Sequence, residues 1–292
     1  LYHQCLQSYT AVCARYAAKA GIPFFFHVAS DSDLNWRWVT MHLSPNTPFD
    51  VVECLAGMWG IRKASHVIVQ TERQKAMLKQ RFGRDAALLV RNFQPLPDRL
   101  PEKPSGPLRI LFVANFKEVK RPWLFMDLAE SFADRADLQF FMIGRPTLER
   151  RFAPMMERAG RIPNLQYLGE LPVEKVNEHM AHATMHINTS SFEGFPNTFL
   201  QAWARGAIVA TLNVDPDDCL RRNEIGFCAA DDMLRLREYV ERISCSPDLR
   251  TRMQQRAFAY VQEHHGMIQG ERLADRMLEA ARLFRRPRER QS

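Results

Sequence analysis

"MHINTSSFEGFPNTFLQAWARGAIVATL", residues 185–212, is the stretch on which the fold turns. An apolar run up to Thr189 reads as a buried strand. Gly194 admits a tight turn or the close approach of a ligand to backbone. Pro196 suits a first helical position, where no N–H is missed. From Asn197 the pattern is an apolar helix, and AIVATL is a second strand. Strand, loop, helix, strand is one repeat of a doubly wound parallel sheet.

The same alternation runs outward in both directions. Upstream lie strands RILFVAN (109–115), LQFFMIG (138–144) and LQYLG (165–169), each followed by a helical pattern. Downstream lie GFCAA (226–230) and helices from 232 to 262. Earlier still, residues 3–20 read as a helix and IPFFFHV (22–28) as a strand. A helix from 51, strand HVIVQ (66–70), helix ERQKAMLKQRF (72–82) and strand ALLV (87–90) follow. Short apolar strands separated by helices of ten or more residues mean parallel sheets covered on both faces. PLPDRLPEKPSGP, 95–107, holds five prolines and reads as a linker.

The expected organisation is therefore two Rossmann-like α/β domains. Residues 1–94 form a partial first domain and 95–107 a linker. Residues 108–263 form a complete second domain, and 264–292 a last helix with a basic tail. The helix belongs with either domain. Residues 1–94 hold fewer strands than a complete first domain needs, and Leu1 opens the chain abruptly. The reading expects an N-terminally truncated first domain.

The 292 residues carry a formal charge of +7, with a pI near 9.3. Such a balance fits nucleic acid, an anionic membrane surface or phosphate-bearing substrates. Nucleic acid is disfavoured because Lys and Arg are scattered, with no aromatic-basic motif. The tail RRPRERQS supplies four Arg against one Glu and reads as a solvated terminus or a membrane-surface patch. No apolar run approaches the ~20 residues of a membrane span, and no signal peptide is read at the start. The six Cys form no Cys-x-x-Cys pair, so reduced thiols in a cytosol are expected.

Chemistry in such sheets gathers at the carboxyl ends of strands. The amides of Asn197, Thr198 and Phe199 would face the positive end of a helix dipole, an arrangement suited to a diphosphate. A carboxylate there does not favour phosphate. Glu193 is expected to accept hydrogen bonds from neutral hydroxyls, as of a sugar. Gln201 reaches the same place with both donor and acceptor. The alternative is a helix cap at Glu193 and a backbone bond at Gln201.

SSFEGFPNTFLQAWARGAIVA resembles the signature loop of the retaining group 1 glycosyltransferases, which have the two-Rossmann GT-B architecture. Their pattern is a Glu, seven residues, a second Glu, small residues, a Gly and a strand. The resemblance implies that Glu193 meets donor-sugar hydroxyls, and that the backbone at Gly194, Phe195, Asn197 and Thr198 meets sugar and diphosphate. The second Glu, which holds the nucleotide ribose, is Gln201 here. ILFVANFKEVKRPWLF resembles the family's phosphate-binding segment, with Lys120 on the phosphate-binding Lys. Ala114-Asn115 replaces the usual Gly-Arg, so one cation is missing, and Lys117 or Arg121 is the candidate to compensate. LQFFMIGRP places Gly144 near the nucleotide, and NLQYLGELP places Leu171 near the base. His27, at a strand mouth of the first domain, is the candidate for the reaction centre.

Two patterns invite a metal. Asp31-Ser32-Asp33 has the form of the metal motif of the other large glycosyltransferase fold, but capping is the favoured reading. His179, His182 and His186 lack a completing Cys or carboxylate, so zinc is not expected. The function expected is transfer of a sugar from a UDP- or GDP-linked donor to a carbohydrate or lipid-linked acceptor, without metal or cofactor. The setting expected is bacterial polysaccharide or lipopolysaccharide assembly, in the cytoplasm or peripherally on the inner membrane face. The alternative is a donor-binding but inactive homologue or regulatory partner.

Overall fold

A computed structural model describes residues 1–35, 48–146 and 152–285. The chain divides into two compact units. One comprises residues 1–93, 193–195 and 267–292, the other residues 94–192 and 196–266.

The first unit is built on a parallel sheet in the order β1 (Tyr2–Gln4), β2 (Phe25–His27), β3 (His66–Val69) and β4 (Leu88–Leu89). Alternation along β2 and β3 divides their side chains between two cores. Phe24, Phe26, Val67 and Val69 pack with Ala14, Ala17, Ile61 and Leu78 of the connecting helices. Phe25 and Ile68 face the other way, against Leu273, Met277 and Ala280 of the helix Ile268–Arg285. Local signals fix the helix ends well. Thr71 accepts the Gln74 amide at 3.0 Å to open the helix Glu72–Phe82, and Gly83 closes it at φ 64°.

The opening differs from its sequence reading. Residues 3–20 are not one helix: Tyr2–Gln4 pairs in register with Phe25–His27, and Cys5 turns the chain at φ 73°. The helix Tyr9–Ala20 follows. A ladder to a strand twenty residues away satisfies the backbone of 2–4, and local periodicity does not register it.

The second unit carries a six-stranded parallel sheet: β5 (Leu108–Val113), β6 (Leu138–Ile143), β7 (Leu165–Tyr167), β8 (Met185–Asn188), β9 (Ile208–Thr211) and β10 (Gly226–Cys228). Its spatial order is β10-β9-β8-β5-β6-β7. The chain runs outward from β5 to β7, returns to β5's other side as β8, and runs outward again. The order therefore reverses between β5 and β8, where doubly wound sheets open a crevice. Phenylalanines fill the core beneath: Phe125 lies 5.3 Å from Phe112 and 5.7 Å from Phe140, ring centre to ring centre.

Residues 95–107 contain no helix or strand, yet Lys103 ties them down. Its Nζ donates to the carbonyls of Ala181 (3.0 Å), Ala183 (2.6 Å) and Arg205 (2.7 Å). Ala181 lies in the last turn of the helix Val173–His182 and Ala183 caps it, where carbonyls lack intrahelical partners. Burial pulls the Lys103 pKa down to about 7, and the carbonyls replace the water its ammonium has lost. Replacing Lys103 with Met leaves these acceptors buried and unsatisfied. The expected loss is about 2–3 kcal/mol, read as a lower denaturant midpoint with an unchanged m-value. An unchanged midpoint would show that the carbonyls find other donors.

Candidate functional site

At the end of β5 the chain makes a loop, the single 3-10 turn Glu118–Lys120, and the helix Pro122–Glu130. Arg121 joins the last two in the left-handed region, at φ 46°. Its guanidinium is spent inward. Nε donates to the Thr189 carbonyl at 2.7 Å and Nη2 to the Ser190 carbonyl at 3.2 Å. Nη1 pairs with Asp231 at 2.6 Å. Thr189 Oγ1 returns a bond to the Lys120 carbonyl at 2.7 Å, and the Ser191 amide donates to the Val119 carbonyl at 2.9 Å. Asn188 Oδ1 accepts the Ser190 amide at 3.0 Å, and Asn213 Nδ2 donates to the Ser191 carbonyl at 2.7 Å. The loop bearing Lys120 and the loop that leads to Glu193 are one hydrogen-bonded body at the switch point of the sheet.

Each of the three Arg121 nitrogens thus makes one bond within the protein, and the side chain serves the two loops as scaffold. Lys117 is the exposed cation of this loop, Lys120 is half-buried, and Asn115 is exposed beside buried Phe116.

Gly144 ends β6 at φ 145°, and a Cβ there would lie 1.9 Å from the Ala114 carbonyl oxygen. Its amide donates to the Gly169 carbonyl at 2.8 Å, and its carbonyl accepts from the Tyr167 hydroxyl at 2.9 Å. The strand mouths around Ala114 and Gly144 thus have no room for a side chain at 144, and Leu171 lies half-buried just beyond Gly169.

The helix after the signature loop is Asn197–Trp203, seven residues long. Pro196 precedes it instead of opening it, and the Pro196 carbonyl takes the Phe199 amide at 3.0 Å. Phe199 thus leaves the expected set of anion donors. Asn197 is exposed and Thr198 half-exposed. Gln201 is half-buried, its Nε2 3.5 Å from Asn177 Oδ1, while Leu200, Ala202 and Trp203 enter the core.

In the first unit, His27 is 5% exposed at the end of β2. Its Nδ1 lies 2.6 Å from the Tyr2 hydroxyl, and its Nε2 has no hydrogen-bond partner among the described residues. Burial drives its pKa down to about 4 and pushes the Tyr2 hydroxyl up to about 12, so the pair is neutral at pH 7. Residues 193–195 belong to the same unit. A Cβ on Gly194 would meet the Ala29 carbonyl at 2.8 Å, and Asn92 Nδ2 donates to the Phe195 carbonyl at 2.9 Å. Glu193 is half-buried beside them.

The acidic pair is committed elsewhere. Asp33 accepts the amides of Ala29 (2.8 Å) and Ser30 (3.2 Å) in a capping box, and Asp31 pairs with Arg73 at 3.1 Å. His186 is buried in β8 with Nδ1 at 3.1 Å from the Leu111 carbonyl oxygen. Among the described residues no three His, Cys, Asp or Glu side chains are grouped to hold a metal ion. Sequence reasoning missed Tyr2, Asn92, Asn213 and the strap role of Arg121, since each acts on a partner distant in sequence.

Comparison with known proteins identifies the family and the fold. The model of the family "Glycosyl transferases group 1" matches residues 98–260, more than half of the chain. The chain belongs to that family. No curated protein matches its sequence. Among solved structures, Anabaena HepE in complex with UDP and glucose superposes with a TM-score of 0.75 at 13% identity, over 95% of this chain and 78% of that one. TarM of S. aureus, in a complex that includes UDP, gives 0.66 at 16% identity, over 95% and 59%. Sucrose-phosphate synthase of Thermosynechococcus elongatus gives 0.65 at 16%, over 95% and 76%. The chain thus spans somewhat over half the length of TarM. These likenesses establish the GT-B fold of two Rossmann-like units.

The His27 environment has a measurable cost. The unfolded chain takes up the imidazole proton near pH 6.5 and the folded chain near pH 4. Folding stability therefore falls as pH drops from about 6.5 to about 4, by on the order of 3 kcal/mol. Thermal melts at pH 7 and pH 4.5 should show a smaller loss for His27→Gln than for the unsubstituted protein. Parallel losses would mean that His27 is not the group responsible.

Proposed function

We propose that this chain transfers a sugar from a nucleotide diphosphate donor, UDP- or GDP-linked, to an acceptor hydroxyl with retention at the anomeric carbon. The observation that carries the reading is the stitched pair of loops at the switch point, with Lys120 on one and the start of the Glu193 loop on the other. A departing diphosphate is stabilised by Lys120, with Lys117 beside it, and by backbone amides near Asn197 and Thr198. Glu193 orients the sugar hydroxyls, and the backbone at Gly194 and Phe195 positions the ring. Gln201 meets the ribose, and the segments at Asn115, Gly144 and Leu171 receive the nucleotide. Catalysis is positioning and electrostatics, with no metal ion. His27, neutral at working pH, hydrogen-bonds to sugar or acceptor. The acceptor is a carbohydrate or lipid-linked saccharide of bacterial surface polysaccharide assembly, met peripherally at the inner face of a membrane. TarM and HepE, whose solved complexes hold UDP, favour UDP.

A second reading, a donor-binding but inactive homologue or regulatory partner, draws on Asn115 and Gln201, which stand where the family carries Arg and Glu, and on the engagement of Arg121.

Calorimetric titration with UDP, GDP and ADP tests the donor site, and an assay of donor hydrolysis and transfer separates the two readings. One nucleotide should bind, and Lys120→Ala should weaken it by roughly tenfold, as expected for loss of a charge-assisted bond of about 1.5 kcal/mol. Glu193→Ala should leave the nucleotide unchanged and weaken the sugar nucleotide. Binding without donor hydrolysis or transfer supports the inactive homologue. No binding by a folded sample refutes the donor site.

A further inference from the structure

β10 ends the six-stranded sheet, two strands from β8 and so about 10 Å away from it along the sheet. Beside it lies a cavity of about 680 Å³, bordered by the short helix Cys219–Arg222, the helix Met233–Ser244 and the helix Pro247–His265. Every residue of its lining belongs to the second unit. The apolar wall is Phe227, Tyr239, Leu249 and Met253, with the Phe227 and Tyr239 rings stacked at 4.4 Å.

Five arginines line the same space: Arg221, Arg235, Arg242, Arg252 and Arg256. Two of them are answered. Arg221 pairs with Asp218 at 3.2 Å, and Arg256 pairs with Glu224. The remaining carboxylate of the lining, Asp215, is half-buried and accepts the Leu220 amide at 2.8 Å. Arg235, Arg242 and Arg252 are exposed and make no ion pair among the described residues. Glu238 and Asp248 stand one turn before Arg242 and Arg252 and pair with neither. Arg235 makes one long bond, 3.4 Å to the Ala229 carbonyl, and its guanidinium lies 5.8 Å from the centre of the Phe227 ring. The edge strand adds a neutral donor. The Ala229 amide donates to the Thr211 carbonyl at 2.9 Å, and alternate residues of a ladder face opposite neighbours, so the Cys228 amide is turned away from β9.

Guanidiniums without carboxylates around a concave apolar floor select an anion. Arg235, Tyr239 and Arg242 share one helix face at i, i+4 and i+7. The two arginines are therefore about 10 Å apart along the axis. A single phosphate ion is far smaller than this cavity, and it leaves the apolar floor uncovered. A ligand with an anionic group at each end and a carbon body between them meets both arginines and the floor, and the volume is that of a small-molecule site. We propose that this cavity is a second ligand site, for a small organic bisphosphate. The arginine forks take the phosphate oxygens, and the body of the ligand lies on Phe227 and Met253. The inference does not rest on the proposed sugar transfer. The chain's other basic run, the tail 286–292, lies outside the described residues.

The test is calorimetric titration of the whole chain, in saturating UDP, with fructose 1,6-bisphosphate and separately with inorganic phosphate. The bisphosphate should bind roughly tenfold more tightly than phosphate, or better. Arg242→Gln and Arg252→Gln should each weaken it about tenfold, and Lys120→Ala should not. Both arginines are exposed, so these variants should keep the melting curve of the parent. A chain that binds the bisphosphate but no UDP would lose its donor site and keep this one. A folded chain that ignores the bisphosphate, or holds it no better than inorganic phosphate, would overturn the site. Arginine variants that bind as well as the parent would overturn it too, and a loss confined to Lys120→Ala would move the bisphosphate to the donor loops.

Discussion

One guanidinium holds the chemistry of the second unit in place. Arg121 reaches from the end of the β5 loop to the carbonyls that follow β8 and to Asp231 beyond β10. Three strand ends converge on a planar fork with fixed directions. Lysine has the charge but not the directions. The charge is compensated by Asp231, and the side chain is mostly sheltered from water. Asp231 is half exposed, so water screens the ion pair and the bonds to the two buried-loop carbonyls are the firmer part of the strap. The left-handed backbone at Arg121 costs about 1 kcal/mol for a non-glycine residue, and its bonds offset that cost.

The strap also explains a division of labour within a short basic run. Lys117, Lys120 and Arg121 look interchangeable in sequence. In the fold one is exposed, one is half-buried at the strand mouth, and one is consumed as scaffold. A family position that ordinarily holds a cation is Asn115, and the nearest arginine is held in place by its own bonds to the Thr189 and Ser190 carbonyls and to Asp231. Positive charge at this loop comes from lysines, which hold phosphate as point charges and impose less geometry on it.

The architecture was legible because its signals are local and repeated. Apolar runs of four to six residues gave β3, β5, β6, β8 and β9 nearly to the residue. Thr71 and Gly83 bounded their helix from both ends, and the Glu-x(7) loop spacing resembled one family, to which the family model independently assigns the chain. What escaped was non-local. The strand at Tyr2–Gln4 exists only because β2 offers it a partner, and the helical periodicity that follows misled the reading of those residues. Pro196 was expected inside its helix and stands before it. The functions of Arg121, Tyr2 and Lys103 depend on partners 25 to 110 residues away. No window of sequence contains both halves of such a bond.

The reversal of strand order between β5 and β8 has a consequence for the growing chain. β5 finds β6 within about thirty residues, but its other neighbour lies 75 residues on, the separation of His186 from Leu111. As the polypeptide is made, β5-β6-β7 can assemble first, with one long side of β5 still unpaired. That edge is LRILFV, apolar and extended, the kind of segment on which another chain can add a strand. Closing it requires β8, and with β8 come the loops that Arg121 fastens. The step that ends the unit's exposure to aggregation is thus the same step that assembles the candidate donor site, so a chain stalled before residue 185 would be both the stickiest and the least capable form of this protein.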